Sequence, residues 1–371
     1  MPAPLTVAVD ATPLLGRRTG MGVATAGLLA ALARRSDVVV RGYGLTGTGW
    51  RALPGALAAL GLPGAGGGRV PLPAGLVLPA WGRGVDLPPI EWVTGPVDVV
   101  HGTNFVVPPT RSAARVVTVA DLTALRFPEL ATPAARLYPD LVRRAVRAGA
   151  MVHTFSTTIA AEVVEAFGAA PDGVEVVAAG APPVTPRRPP APGGRRYLLA
   201  LGTVEPRKDL PGLVAAFDLV AGGRPGLELC IAGPDGWGAD ALGVAVAAAR
   251  HGDRVRRLGW VADPAALLDG ALALVYPSVY EGFGLPPLEA MARGVPVVAT
   301  AAGAVPEVVG DAALVVPVGD VGALAAALAT VVDDDGVRAR LAAAGPRRAA
   351  RFTWDDAAAA MVAVYRRAAG G

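Results

Sequence analysis

Residues 272–300 read LALVYPSVYEGFGLPPLEAMARGVPVVAT, a pattern of strand, tight turn, helix and strand. Leu272 to Tyr276 is a short apolar run stopped by Pro277 and Ser278, with the length and content of a buried parallel strand. Gly282 and Gly284 then allow a sharp turn and let the backbone approach a ligand with no Cβ in the way. Pro286 and Pro287 suit the first turn of a helix, where a missing N–H costs nothing. Gly294 is placed to end the helix expected over Leu288–Arg293. Free amides at that helix start point back at the turn, so Glu281, Gly282, Phe283, Gly284 and Leu285 frame an anion site suited to a phosphate.

Two carboxylates, Glu281 and Glu289, flank this turn, and both would repel a phosphate. The reading that uses both places Glu289, in the first helical turn, on a neutral diol such as a ribose. Glu281 then faces the group beyond the phosphates. A matching pair of cations lies upstream in GTVEPRKDL, residues 202–210, after a strand expected at Tyr197–Leu201. Gly202 and Thr203 turn the chain at the strand end. Arg207 and Lys208 present two positive groups just before a helix expected at Leu210–Val220, which suits a pyrophosphate. Lys208 is the one lysine in a chain whose Lys and Arg total 34. Where arginine is the default cation, a lone lysine marks a position that wants a compact point charge.

The chain has 371 residues, 53% of them hydrophobic and 18% charged, which suits a globular protein with two domains, each large enough to bury a core. No apolar run is long enough to span a bilayer, and the start MPAPLTVAVDAT enters a strand pattern directly, so no signal peptide is expected. The single cysteine, Cys230, sits in an apolar run, which excludes an internal disulfide and points to a reducing, cytoplasmic home. A net charge of +3 is a mild bias toward anionic substrates or an anionic membrane surface. No nucleic-acid partner is expected, and no histidine or carboxylate spacing reads as a metal site.

In chain order, a strand at Thr6–Val9 leads through the loop ATPLLGRRTGMG to a helix at Val23–Arg34. Gly20 and Gly22 are thereby placed where backbone would meet a phosphate or an acceptor. A strand at Val38–Tyr43 follows, then an irregular stretch from Gly44 to Gly95 assigned to acceptor contacts. The strand Val97–His101 puts His101 and Asn104 at its carboxyl end, where open α/β sheets bind ligands. Another strand, Arg115–Ala120, ends at Asp121. The proline- and charge-rich run Ala181–Arg196 reads as the linker between domains 1–185 and 186–354. The tail from about 355 to 371 has the alanine and aromatic spacing of an amphipathic helix.

The Glu-x7-Glu pattern within YEGFGLPPLEAMARGVPVV resembles the family 4 (group 1) retaining glycosyltransferases. GTVEPRK resembles the donor-phosphate segment of that family. VDVVHGTN, VVTVADLTALRFPEL and HTFSTTIAAEVVEAFG resemble its N-terminal half, and the similarity is strongest from Tyr197 to Val318. The resemblance implies the GT-B fold: two Rossmann-like, doubly wound α/β domains facing a cleft, the first for the acceptor and the second for the nucleotide-sugar donor. It implies transfer of a hexose of mannose or glucose type, with no cofactor and no metal, to a sugar, lipid-linked or small-molecule acceptor, in the cytoplasm or against the inner face of a membrane. It places Glu281, Arg207, Lys208 and Asp121 in the catalytic set, brings backbone around Val261 to the nucleobase, and carries the last helix, about 355 to 371, back to join the first domain. One departure stands out. The family usually carries histidine just before the aspartate, beside the donor sugar, and this chain has Ala120 there. That departure motivates one rival, a nucleotide-sugar binding protein with impaired catalysis, and a second rival is a GT-B sugar-nucleotide epimerase.

Overall fold

Short valine-rich runs form the strands of two parallel sheets in a computed structural model that describes residues 3–16, 20–46, 49–69, 74–183 and 196–370. The chain divides into two units, Met1–Gly180 with Phe352–Gly371, and Ala181–Arg351. Most of the expected linker, residues 184–195, lies outside the described residues.

The first unit has seven strands: β1 (Leu5–Asp10), β2 (Val38–Gly44), β3 (Gly66–Arg69), β4 (Val99–Gly102), β5 (Ala114–Thr118), β6 (Met151–Thr154) and β7 (Val174–Val176). Their order is β3-β2-β1-β4-β5-β6-β7, and neighbouring strands pair in parallel. Val7, Val9, Val99 and Val116 are fully buried because helices cover the sheet. The helices Gly20–Leu32 and Trp354–Ala368 contribute Leu29, Leu32, Met361 and Tyr365 to this core. Strand order reverses between β1 and β4, so the ligand crevice of this unit lies past the carboxyl ends of those two strands.

The second unit repeats the plan with β8 (Arg196–Leu201), β9 (Leu227–Ala232), β10 (Val255–Gly259), β11 (Ala273–Tyr276), β12 (Val297–Thr300) and β13 (Leu314–Val316). The order β10-β9-β8-β11-β12-β13 places the reversal between β8 and β11. Leu198, Leu229, Val275 and Val298 form the sheet side of its core, against Phe217, Leu213, Leu328 and Val331 from helices Leu210–Ala221 and Val321–Asp333.

Three expectations need correction. The helix after β1 starts at Gly20, so Gly20 and Gly22 belong to its first turn and not to a loop before it. Burial of Ala24, Leu28 and Leu29 on the sheet offsets the poor helix propensity of glycine there. The stretch Gly44–Gly95 contains β3 and the helices Leu53–Ala58, Ala74–Gly82 and Glu91–Thr94, anchored by buried Leu53, Leu57, Val77, Trp81 and Ile90. Residues 47–48 and 70–73 of that stretch lie outside the described residues. The helix after β11 spans Leu285–Ala292, three residues earlier than expected, which moves Glu289 from the first turn to the second.

Candidate active site

In the second unit the loops that follow β8 and β11 are stitched together at the sheet's reversal point. Val279 N–H donates to the Arg207 carbonyl at 2.9 Å, and the Arg207 guanidinium donates to the Tyr280 carbonyl at 2.9 Å. This closure brings Glu281 against both cations. Its Oε2 lies 2.6 Å from Arg207 Nη1 and its Oε1 lies 2.6 Å from Lys208 Nζ. Lys208 also donates to the Tyr276 hydroxyl at 2.9 Å and stands 4.4 Å from the centre of that ring. All three charged side chains are at least 85% buried.

Sharing one carboxylate between two cations sets the electrostatics. Burial alone would raise the Glu281 carboxyl, but two adjacent positive charges hold it at about 2. Lys208 is also lowered from its usual value: burial lowers it, and a single carboxylate divided with Arg207 does not restore it. Burial pushes the Tyr276 phenol up, and the Glu281 charge adds to that.

Gly284 is the residue before the helix Leu285–Ala292, with φ +126°, a backbone that L side chains rarely adopt. Gly282 does not share this feature. Gly303 makes the tighter approach: a Cβ there would stand 2.3 Å from the Glu281 carbonyl oxygen, which accepts from Ala304 N at 2.9 Å. Residues 303–304 after β12 thus fix the Glu281 backbone. The sequence signal for them is only a small-residue run, AAGA, at a strand end. Phe283 is buried and Leu285 opens the helix. Glu289, the fifth helical residue, is half-buried, and no side-chain bond is formed to it among the described residues. Burial pushes its carboxyl up to about 7.

Gly202 and Thr203 follow β8 directly, and Gly202 packs beneath the Lys208 stem. Val261 lies two residues past β10, the edge strand, so it stands in the outer row of the same carboxyl face. Among the described residues no group of three or more His, Cys, Asp or Glu side chains is placed to hold a metal ion.

The first unit treats its expected site residues differently. His101 lies inside β4, not past its end, and is completely buried. Its Nδ1 meets the Tyr365 hydroxyl at 2.8 Å and its Nε2 meets Thr118 Oγ1 at 2.8 Å. Both nitrogens are thereby engaged by the protein itself. Asp121 closes a turn, accepting from Thr123 N at 2.9 Å. Asn104 lies in the loop past β4 and bonds the Tyr138 hydroxyl.

Comparisons with known proteins agree with this geometry. The family model described as glycosyl transferases group 1 matches residues 183–348. The chain is 33% identical over 282 residues to the O-antigen chain mannosyltransferase B of Escherichia coli, covering 72% of this chain and 74% of that one. It is 48% identical over 108 residues to the MMP alpha-(1->4)-mannosyltransferase of Mycolicibacterium hassiacum, covering 28% and 26% of the two chains. Among solved structures, sucrose-phosphate synthase from Thermosynechococcus elongatus superposes with a TM-score of 0.73 at 20% identity, covering 98% of each chain. Anabaena HepE in complex with UDP-glucose superposes with a TM-score of 0.74 at 16% identity, covering 98% of this chain and 100% of that one. The paired cations at a sheet reversal, the Glu-x7-Glu helix and the GT-B fold thus belong together, and this chain is a member of the group 1 glycosyltransferases.

Proposed function

We propose that this enzyme transfers a hexose, of mannose or glucose type, from a nucleoside diphosphate sugar to an acceptor, with retention at the anomeric carbon and without a divalent metal. The observation that carries this reading is the Glu281 carboxylate lying between Arg207 and Lys208 at the reversal point of the donor-type sheet. That carboxylate engages both cations as a phosphate would. When the diphosphate arrives, Arg207, Lys208 and the amides of helix Leu285–Ala292 take its charge, and Glu281 turns to the sugar hydroxyls. The bond from the anomeric carbon to the phosphate oxygen breaks while the acceptor oxygen bonds to the same face of that carbon. The acceptor proton passes to the departing phosphate oxygen. Two buried cations stabilise the growing negative charge, which is the electrostatic task a metal would otherwise perform.

Glu289, half-buried and with no side-chain bond among the described residues, would take the ribose diol, and backbone at Val261 the base. The first unit takes the acceptor, with Gly20, Gly22 and Asn104 on that side. The mannosyltransferase relatives favour a mannose-type sugar. Buried Cys230 fits a reducing, cytoplasmic location. Among the described residues no helix is long and apolar enough to cross a membrane. Contact with the inner face of a membrane is part of the reading, and Leu76, Leu87 and Trp92 are exposed apolar side chains of the first unit that it could use.

The test is a melting-temperature panel with nucleoside diphosphates and their sugars, followed by transfer assays with the best binder. A rise with one nucleoside diphosphate family and product of retained configuration are expected. Inverted product, or no rise with any member of the panel, overturns the reading. Binding without turnover over an acceptor panel makes Ala120 the residue to restore to histidine.

A further inference from the structure

The reversal point of the first sheet carries an aromatic platform. Past β4 the chain turns so tightly that a Cβ on Gly102 would lie 1.8 Å from the Val106 carbonyl oxygen. Thr103 spans the crevice, its hydroxyl donating to the Asp10 carbonyl at the end of β1 at 2.8 Å. Phe105 follows with φ +61°, a left-handed backbone that is an outlier for a bulky side chain. Its amide is pinned to the Thr118 carbonyl at the end of β5 at 2.9 Å. The ring is thereby held parallel to Tyr138, the first residue of the helix Tyr138–Arg147, with centroids 4.8 Å apart and planes 7° apart. Asn104 bonds the Tyr138 hydroxyl. Burial pushes that phenol up, the Asn104 bond partly offsets this, and the nearby Asp10 carboxylate adds to it. Asn104, Phe105 and Tyr138 are all half-buried, so the group is reachable from solvent.

A residue held in strain at a ligand crevice is a pointer to function. Here the strain aims an aromatic ring, and the ring faces attract the positive C–H edges of an apolar surface. The Asp10 carboxylate acts on the Tyr138 phenol, and its negative charge disfavours an anionic ligand there. The side amide of Asn104 offers both a donor and an acceptor, as a hydroxyl requires. A neutral ring with one apolar face and polar edges fits all of these constraints.

We propose that Phe105, Tyr138 and Asn104 form an acceptor subsite for a sugar, with a pyranose laying its C–H face on the stacked rings and one hydroxyl on the Asn104 amide. The proposal deepens the reading in which the first unit takes the acceptor, and it rests on that reading. Methyl α-D-mannopyranoside and methyl α-D-glucopyranoside are the acceptor probes, with GDP-mannose and UDP-glucose as donors. Phe105→Gly relieves the backbone while removing the ring, Tyr138→Ala removes the other half of the stack, and Phe105→Tyr keeps the platform. The first two should raise the KM for the glycoside about tenfold or more, leave the affinity for nucleoside diphosphate within about twofold, and Phe105→Tyr should behave as wild type. Saturation-transfer NMR of either glycoside on the wild-type protein should show the ring C–H protons in contact with protein. If Phe105→Gly does not fold, Tyr138→Ala and the NMR contact carry the comparison. Wild-type KM in both ring-removing variants overturns the platform and leaves the acceptor reading standing. Absence of both transfer to and contact with either glycoside overturns the two together.

Discussion

One carboxylate serves two cations at Glu281, and removing its charge leaves Arg207 and Lys208 repelling each other in a buried place. Breaking a buried ion pair costs roughly 3–5 kcal/mol, and Gln, which keeps a carbonyl acceptor, sits at the low end. Glu281→Gln should therefore melt earlier than wild type without nucleotide, gain more melting temperature from a nucleoside diphosphate, and transfer sugar far more slowly at saturating donor. Equal nucleotide-induced shifts in the two proteins would reject the idea that Glu281 stands in for the phosphate. Lys208→Ala and Arg207→Ala should each weaken nucleoside diphosphate binding by roughly 1.5–3 kcal/mol, measured by calorimetry, as a charge-assisted hydrogen bond is lost. Glu289 makes the complementary prediction. Its carboxyl is raised from 4.5 to about 7 by burial, so the folded state binds more protons than the unfolded state between those values. The Glu289 contribution to stability therefore falls as pH rises through that window, by up to about 3 kcal/mol. Glu289→Gln should abolish the loss in denaturation curves taken at pH 4.5 and pH 8, while weakening nucleotide binding at pH 8, where the wild-type carboxylate is charged. Parallel curves for the two proteins would show that Glu289 is not titrating there.

Among the elements, the helix Trp354–Ala368 is tied to the first sheet by a buried chain of hydrogen bonds whose direction follows from its end. The Val177 carbonyl can only accept, so His153 Nε2 donates to it at 3.0 Å. His153 Nδ1 must then accept from Thr118, 2.9 Å away, which leaves Thr118 accepting from His101 Nε2 and His101 Nδ1 accepting from Tyr365. A protonated imidazole breaks this sequence. Burial lowers His101 well below its usual range and lowers His153 to about 4. Because the unfolded state takes up protons first, the stability contributed by this chain of bonds should drop as pH falls from 6.5 toward 4. Tyr365→Phe leaves His101 Nδ1 without a donor and should cost roughly 1–3 kcal/mol. Hydrogen exchange should accelerate first in residues 354–368, and uniform acceleration would argue against a local role. These partners were hidden in the sequence because each histidine is isolated along the chain and meets its neighbours only across the sheet or from the helix Trp354–Ala368. Legible features were those with a local physical cause: Pro286 and Pro287 at a helix start, Gly294 at its end, and the alternation of apolar strands with helices. The two cations and Glu281 were readable as residues, but their mutual ion pair depends on 73-residue closure between β8 and β11. β3, reading GGGR, has no side-chain pattern to betray it.

At the scale of the whole molecule, the proposed reliance on Arg207 and Lys208 for leaving-group charge predicts that a chelator leaves transfer within about twofold. Strict loss, restored by magnesium or manganese, would require a different account of the donor site. The division of the chain carries a consequence for its biosynthesis. Residues 352–371 belong to the first unit and fill its core with Ala358, Met361, Val362 and Tyr365. The intervening unit, Ala181–Arg351, is continuous in sequence. During translation the earlier part of the chain must therefore wait, roughly 10 to 30 s at 5–20 residues per second, while the intervening unit leaves the ribosome. The unit begun second has all of its residues first, and the unit begun first stays open on one face, a surface for chaperones, until the final helix emerges to close it.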